Sequence, residues 1–325
     1  MERLRRNLVL ALALGAAVYV VLAIFSNLDK LAAALESFDY ALIPAILGLV
    51  TLSYVGRFFR WTYYLRVLKV SVPTGINAAI FASGLSMAIS PGKLGEVLKS
   101  VFVRRVSGAP IARTAPAVIA ERATDGTGMV LWGFLGAFAL NLPPWTMLLF
   151  LAVAVFGIAV LRSRRLSLAA ERILAKLPLV NRFAPHMRDF TGASNELLAT
   201  RPLIVGTVIS FLSWGLECTG VYLCAVGLGV DRPFLLIVFV FAVSSLLGVV
   251  SLLPGGIGAV EAGLYGQFVT VANLSTGVAG ALTLLIRLAT LWFATLLGIC
   301  GLLIVQHLLG DVSLDPDEPQ QAKPK

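Results

Sequence analysis

Charge is what this sequence has least of. Only 13% of its 325 residues are Asp, Glu, Lys or Arg, while 58% are hydrophobic. A soluble domain carries roughly 25% charged residues, so this composition excludes one. Histidine is almost missing: His186 and His307 stand alone near the edges of apolar runs. Cys218, Cys224 and Cys300 lie in apolar segments, with no CxxC spacing and no histidine clustered with them. Metal and disulfide chemistry are therefore not expected, and the thiols fit as small apolar packing residues. There is no Ser-His, Cys-His or HExxH arrangement, so neither an enzyme nor a cofactor is expected. The surplus charge of +9 does not point to nucleic acid, because the basic residues flank apolar runs instead of forming one basic face.

What the chain has in abundance is apolar runs near the ~20 residues that cross a bilayer. Arg3, Arg5 and Arg6 precede one over residues 8–25, expected to be a retained first span and not a cleaved signal. Further spans are expected at residues 40–56, 126–140, 145–161, 203–228 and 277–309. Residues 57–66, basic and aromatic, fit an interfacial belt, with Arg57, Arg60 and Arg66 either anchoring topology or holding lipid phosphates. Residues 162–202 form a basic linker expected to lie on the membrane as amphipathic helix. That linker divides the chain into a first membrane repeat (1–161) and a second (203–309), followed by a polar tail (310–325) expected to be disordered. With the N-terminus inside, the basic loops fall on the cytoplasmic side, and the C-terminus follows.

Two apolar runs are interrupted. Pro91-Gly92-Lys93-Leu94-Gly95-Glu96 breaks the first, and Pro254-Gly255-Gly256-Ile257-Gly258, followed by Glu261, breaks the second. Proline removes a backbone donor and glycine a side chain, so each stretch should end a helix. Broken backbone is tolerated at membrane depth only where it is buried in protein or lines a wet cavity. Interrupted segments at matching places in two halves are the sequence sign of a transporter's binding site. The predicted fold is all-α: about six full spans and two re-entrant hairpins, in an inverted repeat.

Charges inside these runs cost ~2.5 kcal/mol or more each. They are Lys93, Glu96, Lys99, Glu121, Arg122, Asp125, Glu217, Glu261 and Arg287, whose signs nearly balance and imply pairing in a shared interior. Glu121 and Asp125 are four apart and share a helix face, so a cation is expected between them. Arg122 is expected to point away by about 100°, leaving Lys93 or Arg287 for that role. Lys93, at a glycine-rich break, fits an anion such as phosphate, with Arg122 and Arg287 as further head-group ligands. Glu96 and Glu261 either cap the broken helices or, with Glu121, Asp125 and Glu217, balance charge and carry protons.

The motifs Pro91 to Glu96, Glu121-Arg122-x-x-Asp125 and Leu253 to Glu261 resemble the flippase-like membrane family. This is the family of the transmembrane region of lysylphosphatidylglycerol synthases and of stand-alone bacterial and archaeal relatives. The resemblance covers nearly the whole chain. It implies a lipid substrate, phospholipid or polyprenyl-linked, moved between leaflets of a prokaryotic cytoplasmic membrane, and rocking one repeat against the other would give alternating access. It also implies a lipid synthase or glycosyltransferase as partner. In the synthases a soluble aminoacyl-transfer domain follows the membrane part. Residues up to Lys325 contain none, so a stand-alone member without synthase activity is expected. The alternatives are a proton- or ion-coupled carrier of a small anion, and a non-catalytic membrane partner of a lipid synthase.

Overall fold

The computed structural model describes residues 18–89, 96–143, 145–146, 148–150, 152–153 and 184–309. Among these residues every regular element is a helix and there is no strand, as the all-α expectation requires. Helix α1 (Val18–Ser26) turns by 92° at Asn27 into α2 (Leu28–Glu36). A single 3₁₀ turn, Tyr40–Leu42, leads into α3 (Ile43–Val67). Then come α4 (Thr74–Leu85), α5 (Leu98–Ser107), α6 (Ile111–Ala139), α7 (Ala184–Leu197) and α8 (Thr200–Gly227). The chain continues with α9 (Phe234–Val250), α10 (Ala259–Thr270), α11 (Thr276–Arg287) and α12 (Phe293–Leu309). A π-helical turn, Leu288–Trp292, joins the last two.

Among the described residues, three continuous stretches are long and apolar enough to cross a membrane: Tyr40–Val67, Thr200–Gly227 and Thr276–Leu309. The bent pair α1–α2 makes a fourth if it is counted as one span. Helix α6 has the length but carries Arg113, Glu121, Arg122 and Asp125. It is one helix from Ile111, where the sequence pattern predicts a span only from residue 126. Likewise α3 does not stop at Gly56 but runs on to Val67. The predicted surface helix over 166–177 and the tail lie outside the described residues.

Helix ends follow local chemistry. After α3 the chain reverses through Leu68-Lys69-Val70, with Lys69 at φ 57° and the Val70 N–H donating to Leu65 O at 2.9 Å. Pro73 then caps the start of α4. The same turn follows α8: Gly229 sits at φ 67°, the Val230 N–H donates to Ala225 O at 3.0 Å, and Pro233 precedes α9. Such a left-handed residue satisfies the last helical carbonyls and stops the helix.

Packing is also echoed between the halves. Helix α3 lies along α8, α4 lies along α12, and α9 lies along α6. The α4–α12 crossing is tight: a Cβ on Gly298 would come within 1.9 Å of the Ser86 amide nitrogen, so only glycine fits. Helices α9 and α10 fold back on each other, as do α4 and α5. The 3₁₀ turns Ser86–Ile89 and Pro254–Gly256, which stand at the two interruptions, pack together. The core splits into one cluster around α8–α11 and another around α3, α4 and α12.

Candidate functional site

At the second interruption the predicted break is a real one. Helix α9 ends at Val250, Pro254–Gly256 make one 3₁₀ turn, and α10 restarts at Ala259. Gly255, Gly256 and Gly258 all have positive φ, of 62°, 63° and 93°, which excludes side chains there at low cost. Glu261, in the first turn of α10, accepts a hydrogen bond from the Gly258 N–H at 2.8 Å. It also accepts from Arg287 Nε at 2.8 Å, and Arg287 Nη2 donates to Gly255 O at 3.0 Å. Arg287 sits immediately before the π-helical turn, a kind of helix defect common at functional sites. Glu261 is therefore both a helix cap and a salt-bridge partner.

At the first interruption, Pro91, Gly92, Lys93 and Gly95 lie outside the described residues. Glu96, just beyond them, pairs with Arg122 at 3.1 Å and lies 3.8 Å from Lys99. Lys99 Nζ donates to Glu121 at 2.5 Å and stands 4.4 Å from the Trp61 ring centre. The cation beside Glu121 is thus Lys99.

Asp125 is held by two other arginines: Arg60 Nη1 at 2.7 Å and Arg122 at 3.1 Å. The expectation that Arg122 points away from this face is corrected. Residues 122 and 125 are three apart on the helix, which brings them onto one side. The role foreseen for Arg287 here is also corrected, since the carboxylate it pairs with is Glu261 and it donates to Gly255 O, both at the second break.

The third cluster lies on α3 and α8. Arg57 Nη2 donates to Glu217, which also accepts from Ser53 Oγ at 3.3 Å. The Arg57 guanidinium stacks 4.3 Å from the Trp214 ring and 5.5 Å from that of Tyr54. Arg60 is fully buried at 0% exposure, as are Trp61 and Tyr64. The interfacial-belt expectation is corrected for these residues: the belt pattern is the buried face of α3, and only Arg66 of its arginines is exposed. A sequence signal for this existed. Leu52-Ser53-Tyr54 recurs as Leu212-Ser213-Trp214, with Arg57 and Glu217 each three residues beyond the aromatic.

These pairs surround one cavity of about 290 Å³. Arg57, Arg60, Lys99, Arg122 and Arg287 line it together with Glu96, Glu121, Asp125 and Glu217, and Glu261 pairs with Arg287. Gly255 and Gly256 of the second break form part of its wall. Its lining also includes Leu246, Val249, Leu252 and Leu253, of which Val249 and Leu252 are 63% and 69% exposed. Among the described residues around the cavity each of these bases meets at least one of these acids, with Arg122 and Lys99 each shared between two carboxylates, which is what makes so many charges tolerable away from water. Cys218 and Cys224 are buried packing residues, and Cys300 is exposed.

Helices of membrane-crossing length around a chamber of paired charges define a multi-pass membrane protein. Its kinship is equally plain. The family model described as the lysylphosphatidylglycerol synthase TM region matches residues 8–298, and the chain belongs to that family. It is 26% identical to a UPF0104 membrane protein of Methanothermobacter thermautotrophicus over 288 residues, covering 81% of this chain and 84% of the relative. A UPF0104 membrane protein of Pyrococcus horikoshii is 22% identical, with 92% and 96% covered. Another, of Methanocaldococcus jannaschii, is 27% identical, with 68% and 94% covered.

Proposed function

We propose that this protein moves the polar head group of a membrane lipid between leaflets, leaving the acyl chains in the bilayer. The observation that carries this reading is the mixed lining of the cavity: charge pairs together with an exposed apolar rim at Val249, Leu252 and Leu253. A carrier of a small soluble anion has no use for that rim. Family membership supports the same reading and directs it to phospholipids or polyprenyl-linked lipids with an anionic head group.

Alternating access follows from an inverted repeat, which three features support. The motif at Ser53, Tyr54 and Arg57 recurs at Ser213, Trp214 and Glu217, an offset of 160. The turn after α3 recurs after α8 at the same offset, as does the proline that opens the next helix. Helices α3 and α8 are antiparallel, since Tyr64 meets Gly206 while Val50 meets Gly220. Equivalent positions on two antiparallel helices touch only where a twofold axis passes between them, and Arg57 with Glu217 is such a pair. For helices that cross a bilayer, that axis lies in the membrane plane. The arms of the two hairpins are short. At 1.5 Å per residue α4 and α10 span ~18 Å and α9 ~26 Å, against a hydrocarbon core of ~30 Å, which supports re-entrant hairpins.

Arg122 is the residue to test. Its loss leaves Asp125 with Arg60 and Glu96 with Lys99, so the fold should survive. Replacing Arg287 instead would strand Glu261 and confuse transport with folding. In proteoliposomes with a fluorescent phospholipid and an impermeant quencher, Arg122→Met should slow leaflet exchange at least about tenfold, the effect of losing ~1.4 kcal/mol of interaction. Exchange at the wild-type rate, or no exchange by the wild type above empty liposomes, would reject this function.

A further inference from the structure

The arginines around the cavity use only part of their hydrogen-bonding capacity on their carboxylates. Arg60 spends Nη1 on Asp125 and Thr124, while its Nε and Nη2, one complete edge of the guanidinium, have no partner. Arg57 spends Nη2 on Glu217 and leaves Nε unpaired. Arg122 leaves Nε unpaired, and so does Trp214 with its indole Nε1. These five N–H groups are buried and belong to residues that line the same cavity. Among the described residues, the other buried side-chain atoms without a hydrogen bond are Asp125 Oδ2, which has an ion-pair contact with Arg122 Nη2, Ser26 Oγ and Ser100 Oγ. The unmet capacity is therefore concentrated in one place and consists overwhelmingly of donors. Buried donors are costly to leave unmade, so their clustering marks where an acceptor belongs.

We propose that Arg57, Arg60, Arg122 and Trp214 form a seat for the tetrahedral oxygens of a phosphodiester. The argument is geometric. A free Nε/Nη2 edge is the fork with which arginine takes two oxygens of an oxyanion at once. Arg57 and Arg60 are three residues apart and share a face of α3, while Arg122 and Trp214 come from α6 and α8. Donors supplied to the lining of one cavity by three helices suit an acceptor whose oxygens point in several directions, which a phosphate offers and a planar carboxylate does not. The charges of these arginines are already met by Glu217, Asp125 and Glu96, so what the seat offers the ligand is chiefly directed hydrogen bonding. This inference rests on the lipid reading above. It moves the centre of head-group recognition from the predicted Lys93 and Arg287 to the α3–α8 crossing, and keeps Arg122.

The test uses the purified full-length protein in detergent, with three probes: dihexanoyl phosphatidylglycerol, dihexanoylglycerol and inorganic phosphate. Binding is read as ligand-dependent thermal stabilisation. Arg60→Lys keeps a positive charge for Asp125 but removes the free fork. Trp214→Phe removes one N–H, keeps the ring beneath Arg57 and breaks no ion pair, so it serves even if the lysine variant folds poorly. The expected result is phosphatidylglycerol binding weakened about tenfold or more by Arg60→Lys and about threefold by Trp214→Phe, in line with the loss of charged and neutral hydrogen bonds. Dihexanoylglycerol should bind more weakly and respond to neither variant. Phosphatidylglycerol binding unchanged in both variants, or equal binding of dihexanoylglycerol, would overturn the seat. Inorganic phosphate binding as tightly as the lipid, and weakened by both variants, would keep the seat and overturn the lipid reading.

Discussion

The two interruptions place an acid in the same neighbourhood and hold it differently. In the second half, Glu261 is fixed twice, by the Gly258 amide and by Arg287, and Arg287 is in turn fixed by Gly255 O. That cluster is closed on itself and welds the break to α11. In the first half, Glu96 leans on cations that have other commitments: Arg122 also holds Asp125, and Lys99 holds Glu121 more closely. That cluster is open and can exchange partners without stranding a charge. One half is held as a fixed frame, and under the proposed function the other is the side where a head group would enter and leave.

The comparison assumes that the halves correspond, and the Arg57–Glu217 pair tests that assumption with the largest effect. Arg57→Glu alone sets two carboxylates against each other beside the axis, and no folded protein should be recovered. Combined with Glu217→Arg, the pair is restored with its members exchanged across equivalent positions, and a cooperative thermal transition should return. Failure of the double variant to recover would break the equivalence. Next in size, Glu261→Gln leaves Arg287 as a buried unpaired cation and should cost ~3–5 kcal/mol, visible as a large fall in melting temperature. Smallest is Glu96→Gln, because both of its cations keep another carboxylate. Its cost should be about 1 kcal/mol, the net worth of a hydrogen bond, because neither buried cation is left without a carboxylate. Equal losses for the two glutamines would erase the distinction between frame and entrance.

The sequence made the breaks legible because proline and glycine act locally. The run Pro254 to Gly258 needs positive φ at three glycines, and no tertiary information is required to expect that. Glu261 was legible as a cap for the same reason. Pairing was legible only as a balance of signs. The partner of Glu121 is Lys99 and that of Glu217 is Arg57, choices made by how α3, α5, α6 and α8 cross. Arg57 and Arg60 were misplaced because an arginine-aromatic run has the same composition at an interface and on a buried helix face. Only the packing of α3 against α4 and α5, which meet Trp61, and against α6 and α8, which meet Tyr64, separates the two. Where Lys93 sits lies outside the described residues.

The central claim is that the chamber between the two breaks serves both faces of the membrane. Ser245 lines that chamber on α9, beside the apolar rim. With Cys218, Cys224 and Cys300 replaced by alanine, a single Ser245→Cys can be challenged with an impermeant thiol reagent applied from one side of sealed vesicles at a time. The account predicts labelling from either side, with both rates lowered by added phospholipid. Labelling from one side only, whatever the lipid, would contradict it.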